Sequence, residues 1–413
     1  MMLSRLLATI SAIVLLAAAN VATPQFIFEP QLHTSLANVA AGGSTWPNLF
    51  FTPSGHLYVL AALNNDRKTD LAVFISDNLG VSFSKRVAVP TVGDVMAHGE
   101  MSPVLANDPT GALMYVLWQS GSQLYVAHGS EFARTLSQPV PLIDKQEQPD
   151  GHTMSSNGFA TMNVAPDGTV LVAWLDGRDA DNKRGTTSVY VTASTDHGKT
   201  FGPERRIGSN ACPCCRPSIA FDGDGHAYVA WRDVFPENER DFVVARGEVK
   251  TLAFERPARI SADGWQINGC PDSGASIAWI DGRLWAAWFT LGKQGIPQVR
   301  VASSNGKGPF TKPVVISQGI DSANHPRFVF GARRPMLVFE GEPRTKGVFS
   351  EDEVFLATIE QNGRPTVQPI AKLRSEGFDG YAAGMPNAQT LVVAASMAYR
   401  GKPQIILQRG RSR

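Results

Sequence analysis

One short pattern recurs along this chain: a turn ending in glycine, followed by an apolar strand that often ends in tryptophan. It reads PSGHLYVLAA around Gly55, PTGALMYVLW around Gly111, PDGTVLVAW around Gly168, GDGHAYVAW around Gly225 and IDGRLWAAW around Gly282. The glycines are 56, 57, 57 and 57 residues apart, and Trp118, Trp174, Trp231 and Trp288 keep nearly the same step. RRPMLVFEG and NAQTLVVAAS are weaker copies, which brings the number to seven. A fixed period of this length marks a repeat architecture, because each unit must bury its apolar faces against its neighbours.

The internal order of a repeat is constant. An apolar strand such as RPSIAFD comes first, then the glycine-led strand, then a third such as SVYVTAS or QVRVASS, then a fourth such as KPVVIS. Alternating apolar residues and β-branched content indicate strands throughout. The expected fold is therefore all-β: a single β-propeller of four-stranded blades over residues 23–413, seven blades being favoured and six the alternative. The last copy ends after PQIILQRG without a fourth strand, whereas QFIFEPQLHT precedes the first full repeat. The N-terminal strand is expected to complete the last blade and so hide two sheet edges.

Residues 1–22 read as a secretory signal peptide. Arg5 supplies the positive start, Leu6 to Ala19 form an apolar run too short to span a bilayer comfortably, and Ala17 and Ala19 set an A-x-A site. The expected location is secreted or periplasmic, with no membrane span after the signal is removed and a monomeric chain. A formal net charge of +1 lacks the concentrated basic field that phosphate binding needs, so nucleic acid is not an expected partner.

The turns between third and fourth strands carry a further signal. STDHGKTF, with Ser194, Asp196, Gly198 and Phe201, fits S-x-D-x-G-x-T-F at every fixed position. SDNLGVSF, with Ser76, Gly80 and Phe83, matches except that Asn78 replaces the aspartate, and SSNGKGPF at 303–310 is a degraded copy. Each aspartate can accept backbone N–H bonds within its own turn, and each glycine can take a positive φ. In these motifs the chain resembles the sialidase superfamily, the Asp-box (BNR-repeat) propellers, over essentially the whole mature sequence. The resemblance implies a glycan-directed role, either glycoside hydrolase or carbohydrate-binding. For the hydrolases it implies three arginines on a substrate carboxylate, a tyrosine nucleophile assisted by a glutamate, and an aspartate acid/base. The place of the family's R-I-P motif reads STWPNLF here, without arginine. Arg232, Arg327, Tyr381, Glu340 and Asp233 are candidates for such roles by residue type, and none lies in a matching motif.

The repeat register also locates the cysteines. In a propeller the first strand of each blade lines the channel, and the segment leading into it forms one rim. The positions 10 to 15 residues before Gly225 hold Cys212, Cys214 and Cys215, and those before Gly282 hold Cys270 and Asp272. These segments occupy equivalent places in adjacent blades and should meet. The same rim positions hold His98 and Glu100, His152 and Asn157, and His325 in other repeats, with Arg216 beside the cysteines. Three readings stay open for the four cysteines: disulfides joining two blades, a copper or zinc site, or a reactive thiol pair whose pKa a neighbouring cation lowers. The paired Arg232–Asp233 and Arg240–Asp241 bracket one loop and either grip a ligand or order that loop; WLDGRD at 174–179 reads as loop-ordering. A propeller serving only as a protein-interaction platform is the remaining alternative.

Overall fold

The computed structural model describes residues 25–29, 36, 44–65, 68–131, 135–143, 157–181, 184–344, 352–360, 363–374, 380–399 and 402–413. The signal peptide expected at 1–22 and the rim candidate His152 lie outside these residues. Apart from two 3-10 turns, Gly99–Met101 and Pro236–Asn238, the regular elements described are all β-strands. No helix among the described residues is long and apolar enough to cross a membrane.

Each repeat forms an antiparallel sheet whose strands pair in chain order. The first runs Ser44–Phe51, Leu57–Asn65, Lys68–Ser76 and Lys85–Ala88; the fifth runs Ser276–Ile280, Arg283–Thr290, Gln298–Ser304 and Val314–Val315. The third and fourth repeats are joined into one larger sheet through a single bridge, Ala211 to Asp233. In the last sheet Tyr381–Asn387, Thr390–Tyr399 and Lys402–Ser412 are followed outward by Phe26–Phe28, which pairs antiparallel to Lys402–Ser412.

Local chemistry explains the repeat. Gly55, Gly111, Gly168, Gly225 and Gly282 have φ of 92, 74, 87, 89 and 69°, a region that strains any residue with a Cβ. The strand after each turn is buried on both faces, as Val170–Leu175 shows, because sheets lie on either side of it. Trp118 packs with Leu60 and Val73 of the first repeat, and Trp174 with Leu117 and Val126 of the second. Trp231 meets Val189 and Val191 of the third, and Trp288 meets Ala230 and Phe242 of the fourth. Each tryptophan thus seals its own sheet against the preceding one, and truncating one to alanine is expected to cost about 3–5 kcal/mol. Val392 and Leu407 of the last repeat pack with Leu57 and Phe74 of the first. The innermost strands likewise touch in succession, with Tyr381–Asn387 against Ser44–Phe51. Radially packed antiparallel sheets of this kind form a β-propeller.

The Asp boxes adopt one conformation. In STDHGKTF the Gly198 N–H donates to Ser194 Oγ at 2.8 Å, and the Thr200 N–H and hydroxyl donate to the Asp196 carboxylate at 3.0 and 2.7 Å. In SDNLGVSF the Gly80 N–H donates to Ser76 Oγ at 2.8 Å and the Ser82 N–H to Asn78 Oδ1 at 2.9 Å, so asparagine reproduces the backbone bonding, while its Nδ2 donates to the Ser82 hydroxyl at 2.8 Å. Gly198 sits against Tyr115 and Gly80 against Leu407, where a Cβ would come within 3.2 and 2.6 Å. The boxes therefore clip each sheet to its predecessor, while Phe83 packs edge-on to Phe74 and Phe201 joins the cluster of Val170 and Trp174.

Candidate functional site: a cysteine cluster and the pocket beside it

The outer strand Arg205–Ala211 of the third repeat runs directly into the cysteine segment, which then enters the inner strand Ser218–Phe221 of the fourth. Cys212 and Cys215 are fully buried and Cys214 is 7% exposed. Cys214 is bonded to Cys270, with Cα atoms 6.2 Å apart, so the two equivalent segments meet as their register implies. Cys212 and Cys215 are not disulfide-bonded. Cys212 Sγ lies 3.7 Å from Cys214 Sγ, and Cys215 Sγ–H donates to it at 3.6 Å.

Two buried arginines surround this sulfur group. Arg240 Nη1 donates to Cys212 Sγ at 3.0 Å. Arg232 is 1% exposed, donates to the carbonyls of Arg240, Ser273 and Phe289, and lies over the rings of Phe242 and Trp265. Neither arginine has a carboxylate partner among the described residues. A buried cation without a counter-charge is costly, and a Cys212 thiolate supplies one. The hydrogen bond from Cys215, reinforced by the Arg240 and Arg232 charges, holds the Cys212 thiol down to about 6 against the opposing effect of burial. Burial and the adjacent Cys212 push Cys215 well above the usual thiol range.

The three sulfurs of Cys212, Cys214 and Cys215 lie within 4.8 Å of one another. As they stand they fall short of a structural zinc site. Cys214 is committed to Cys270, which leaves two thiols where structural zinc takes four ligands, and a guanidinium already points at one of them.

The channel rim is internally bonded. Glu100, on the turn Gly99–Met101, reaches across to the fourth repeat and accepts the Arg216 N–H at 3.0 Å. The Arg216 guanidinium donates to the Glu100 carbonyl at 2.5 Å and to Ser102 at 2.7 and 2.9 Å. His325 Nδ1 bonds Glu340, its Nε2 contacts the Asp272 carbonyl at 2.9 Å, and Tyr381 Oη donates to the His325 carbonyl at 2.5 Å. Tyr381 is fully buried, so its hydroxyl faces backbone and not an open cleft. Asp272 and His325 hold positive φ, of 47 and 48°, at this crowded rim. Asp352, which no sequence motif marks, joins the group; burial and the Glu340 and Glu342 charges push its carboxyl up to about 6. Asn157 is buried and accepts the Gly177 N–H through Oδ1, and His98 is exposed. The space bounded by Glu100, Arg216, His325 and Arg327 measures about 110 Å³, smaller than a sugar-sized site requires.

A larger cavity opens on the same side, between the third and fourth repeats. It measures about 900 Å³ and is walled by Trp231, Asp233, Phe235, Glu237, Asn238 and four arginines, Arg184, Arg206, Arg256 and Arg259. Its floor is Gly208, where a Cβ would sit 2.6 Å from the Trp231 ring. Arg206 is paired to Asp179 at 3.2 Å, and Arg259 to Glu239 and Asp241. Asp233 accepts the Trp231 indole N–H at 3.1 Å, and burial pushes its carboxyl up to about 6. Glu237 and Asn238 on the lip both have positive φ, 61 and 57°, a strain that concentrates at functional sites. Gln266 Nε2 donates to Glu237 at 3.0 Å and Asn238 Nδ2 to Asn268 at 2.6 Å, so the segment ending at Cys270 holds that lip.

The arginines therefore converge beside Asp233, far along the chain from Tyr381 and Arg327. Of the sequence candidates, the structure gathers Arg232, Asp233 and the four cysteines into one region, and Glu100, Arg216, Asp272, His325, Glu340 and Tyr381 into another. Glu237, Arg256 and Arg259 carried no motif; the doubled Arg–Asp pairs around their loop were the available signal. The WLDGRD segment orders a loop as expected: Asp176 accepts from Trp174 Nε1 at 2.8 Å and from Arg178 at 2.8 and 2.6 Å.

Comparison with solved structures gives the fold its relatives. A protein of unknown function from Dyadobacter fermentans aligns with a TM-score of 0.52 at 15% identity, covering 79% of this chain and 98% of that one. A Hadza microbial sialidase aligns with a TM-score of 0.50 at 15% identity over 91% of this chain and 66% of its own longer chain. An α-L-arabinofuranosidase of Fusarium graminearum aligns at 0.49 and 12% identity, over 81% and 97%. No protein-family profile and no curated protein matches the sequence itself. The chain resembles the sialidase superfamily in fold.

Proposed function

We propose that this chain is an exported, glycan-directed propeller that takes its ligand in the cavity between the third and fourth repeats. The observation that carries the reading is Asp233: a carboxyl raised to about 6, next to an indole, in a cavity of about 900 Å³. Cavities of this size suit small ligands, and a carboxyl that keeps its proton up to about pH 6 is what general-acid attack on a glycosidic oxygen needs. Phe235 offers an apolar surface for a sugar ring, and Asn238 and Arg256 offer donors to its hydroxyls. In the hydrolytic form of the proposal Asp233 protonates the leaving oxygen and Glu237 on the lip serves as the second carboxylate. A tyrosine nucleophile has no part in it, because the Tyr381 hydroxyl is engaged by backbone.

The same reading takes the propeller as seven-bladed and closed by the N-terminal strand. The pairing of Phe26–Phe28 with Lys402–Ser412 and the apolar cluster between last and first repeats support it. A panel of fluorogenic glycosides and a glycan array, run on wild type and Asp233→Asn, test the proposal. Turnover or binding by wild type that falls at least about tenfold in the variant is expected. No glycan bound or cleaved by wild type, or an unchanged variant, overturns it.

A further inference from the structure

We propose that the four cysteines form an internal thiol–disulfide relay, in which Cys212 exchanges with the Cys214–Cys270 bond and delivers a free Cys270 thiol to the protein surface. This inference is independent of the glycan reading.

Geometry carries it. A buried thiol group lies 3.7 Å from one sulfur of a disulfide, is flanked by a second thiol at 3.6 Å, and receives a guanidinium N–H at 3.0 Å. Cys212 and Cys215 stand three residues apart, the spacing of redox-active pairs, and carry opposite biases: the first toward thiolate, the second toward thiol. The hydrogen bond from Cys215 to Cys212 sets the opposite biases, and the charges of Arg240 and Arg232 reinforce the first while burial and Glu100 reinforce the second. Cys212 itself cannot meet an outside partner, since it is fully buried, but Cys270 is exposed.

The step balances without any outside oxidant. The Cys212 thiolate attacks Cys214 Sγ; the Cys212–Cys214 bond forms, the Cys214–Cys270 bond breaks, and Cys270 leaves as a thiolate that takes a proton from solvent. Cys215, passing its proton to the departing Cys214, can then attack Cys212, forming Cys212–Cys215 and releasing Cys214 as a thiol. The net change is an isomerisation: one dithiol becomes a disulfide as the other disulfide becomes a dithiol. The exposed Cys270 thiol is then positioned to exchange with a disulfide-bearing partner.

The test is native alkylation of the purified oxidised chain with N-ethylmaleimide, followed by denaturing label and peptide mapping. Wild type should acquire label on Cys270 over time, with a Cys212–Cys214 linkage appearing in step. Cys212→Ser should reduce the Cys270 labelling rate at least about tenfold, whereas Cys215→Ser should retain it. Should Cys212→Ser not fold, Arg240→Gln serves instead: slower labelling at neutral pH, recovering toward wild type as pH rises. Cys270 that stays unlabelled in wild type, or labels equally in wild type and Cys212→Ser, overturns the relay. An Arg240→Gln rate equal to wild type at every pH overturns it too. So does stoichiometric metal on Cys212 and Cys215 in the purified chain.

Discussion

Arg240 Nη1 lies 3.0 Å from Cys212 Sγ, with both side chains closed to solvent. The guanidinium hydrogen bond favours the thiolate form of Cys212. Cys212 is then an acid whose folded pKa, about 6, lies below its unfolded value of about 8.5. Its contribution is full above the unfolded pKa and is lost as pH falls through the folded one. The unfolding free energy of wild type should rise between about pH 6 and 8.5 relative to Cys212→Ser. Urea titrations at several pH values check this, and parallel profiles for the two proteins would refute it.

The Cys214–Cys270 bond ties the third-to-fourth connection to the fourth-to-fifth one and closes a loop of 56 residues. Replacing both by serine should cost about 2–4 kcal/mol in denaturant unfolding. Because Gln266 and Asn268 hold Glu237 and Asn238, hydrogen exchange at the pocket lip should quicken in the same variant. An unchanged lip would mean that local packing alone holds it.

Asp196 organises its turn by accepting the Thr200 N–H and hydroxyl, and these bonds hold its carboxyl well below the usual range. Asp196→Ala should lower stability by about 1–2 kcal/mol, while Asp196→Asn should be close to neutral, since Asn78 accepts the equivalent N–H and donates to the Ser82 hydroxyl in the first repeat. The folded pKa is depressed, so the aspartate's advantage exists above about pH 4 and fades as pH falls further. Thermal denaturation of the two variants at pH 7 separates these outcomes.

Asp233 carries the opposite sign. Its folded pKa of about 6 exceeds the unfolded value of about 4, so the protonated form is favoured by folding and its stabilisation is lost as pH rises from 4 to 6. Asp233→Asn keeps an acceptor for the Trp231 N–H and removes the charge. It should gain about 1–2 kcal/mol at pH 7 and nothing at pH 4. Any activity dependent on protonated Asp233 should fall above about pH 6 in wild type, which a pH–rate profile would show.

The repeat, its four-strand order and the Asp boxes were legible in the linear chain because each rests on local chemistry. A left-handed glycine every 57 residues, a strand apolar on both faces and a self-bonded turn are properties of short segments. The meeting of Cys214 with Cys270 was legible too, because equal register in adjacent blades places two segments side by side. The binding of Glu100 to Arg216 across 116 residues, and the engagement of Tyr381 by the His325 carbonyl, left no trace in any motif. Neither did the choice of which cysteine stays a thiol. Cys212 and Cys215 look alike in ACPCCRPS and are equally buried; their charge states diverge because Cys215 donates its hydrogen bond to Cys212, which Arg240 also approaches. The pocket follows the same rule: its arginines come from three separate segments, and burial raises Asp233. Burial and long-range approach are properties of the packed chain, so periodicity reveals the scaffold while electrostatics at the site emerges only on folding.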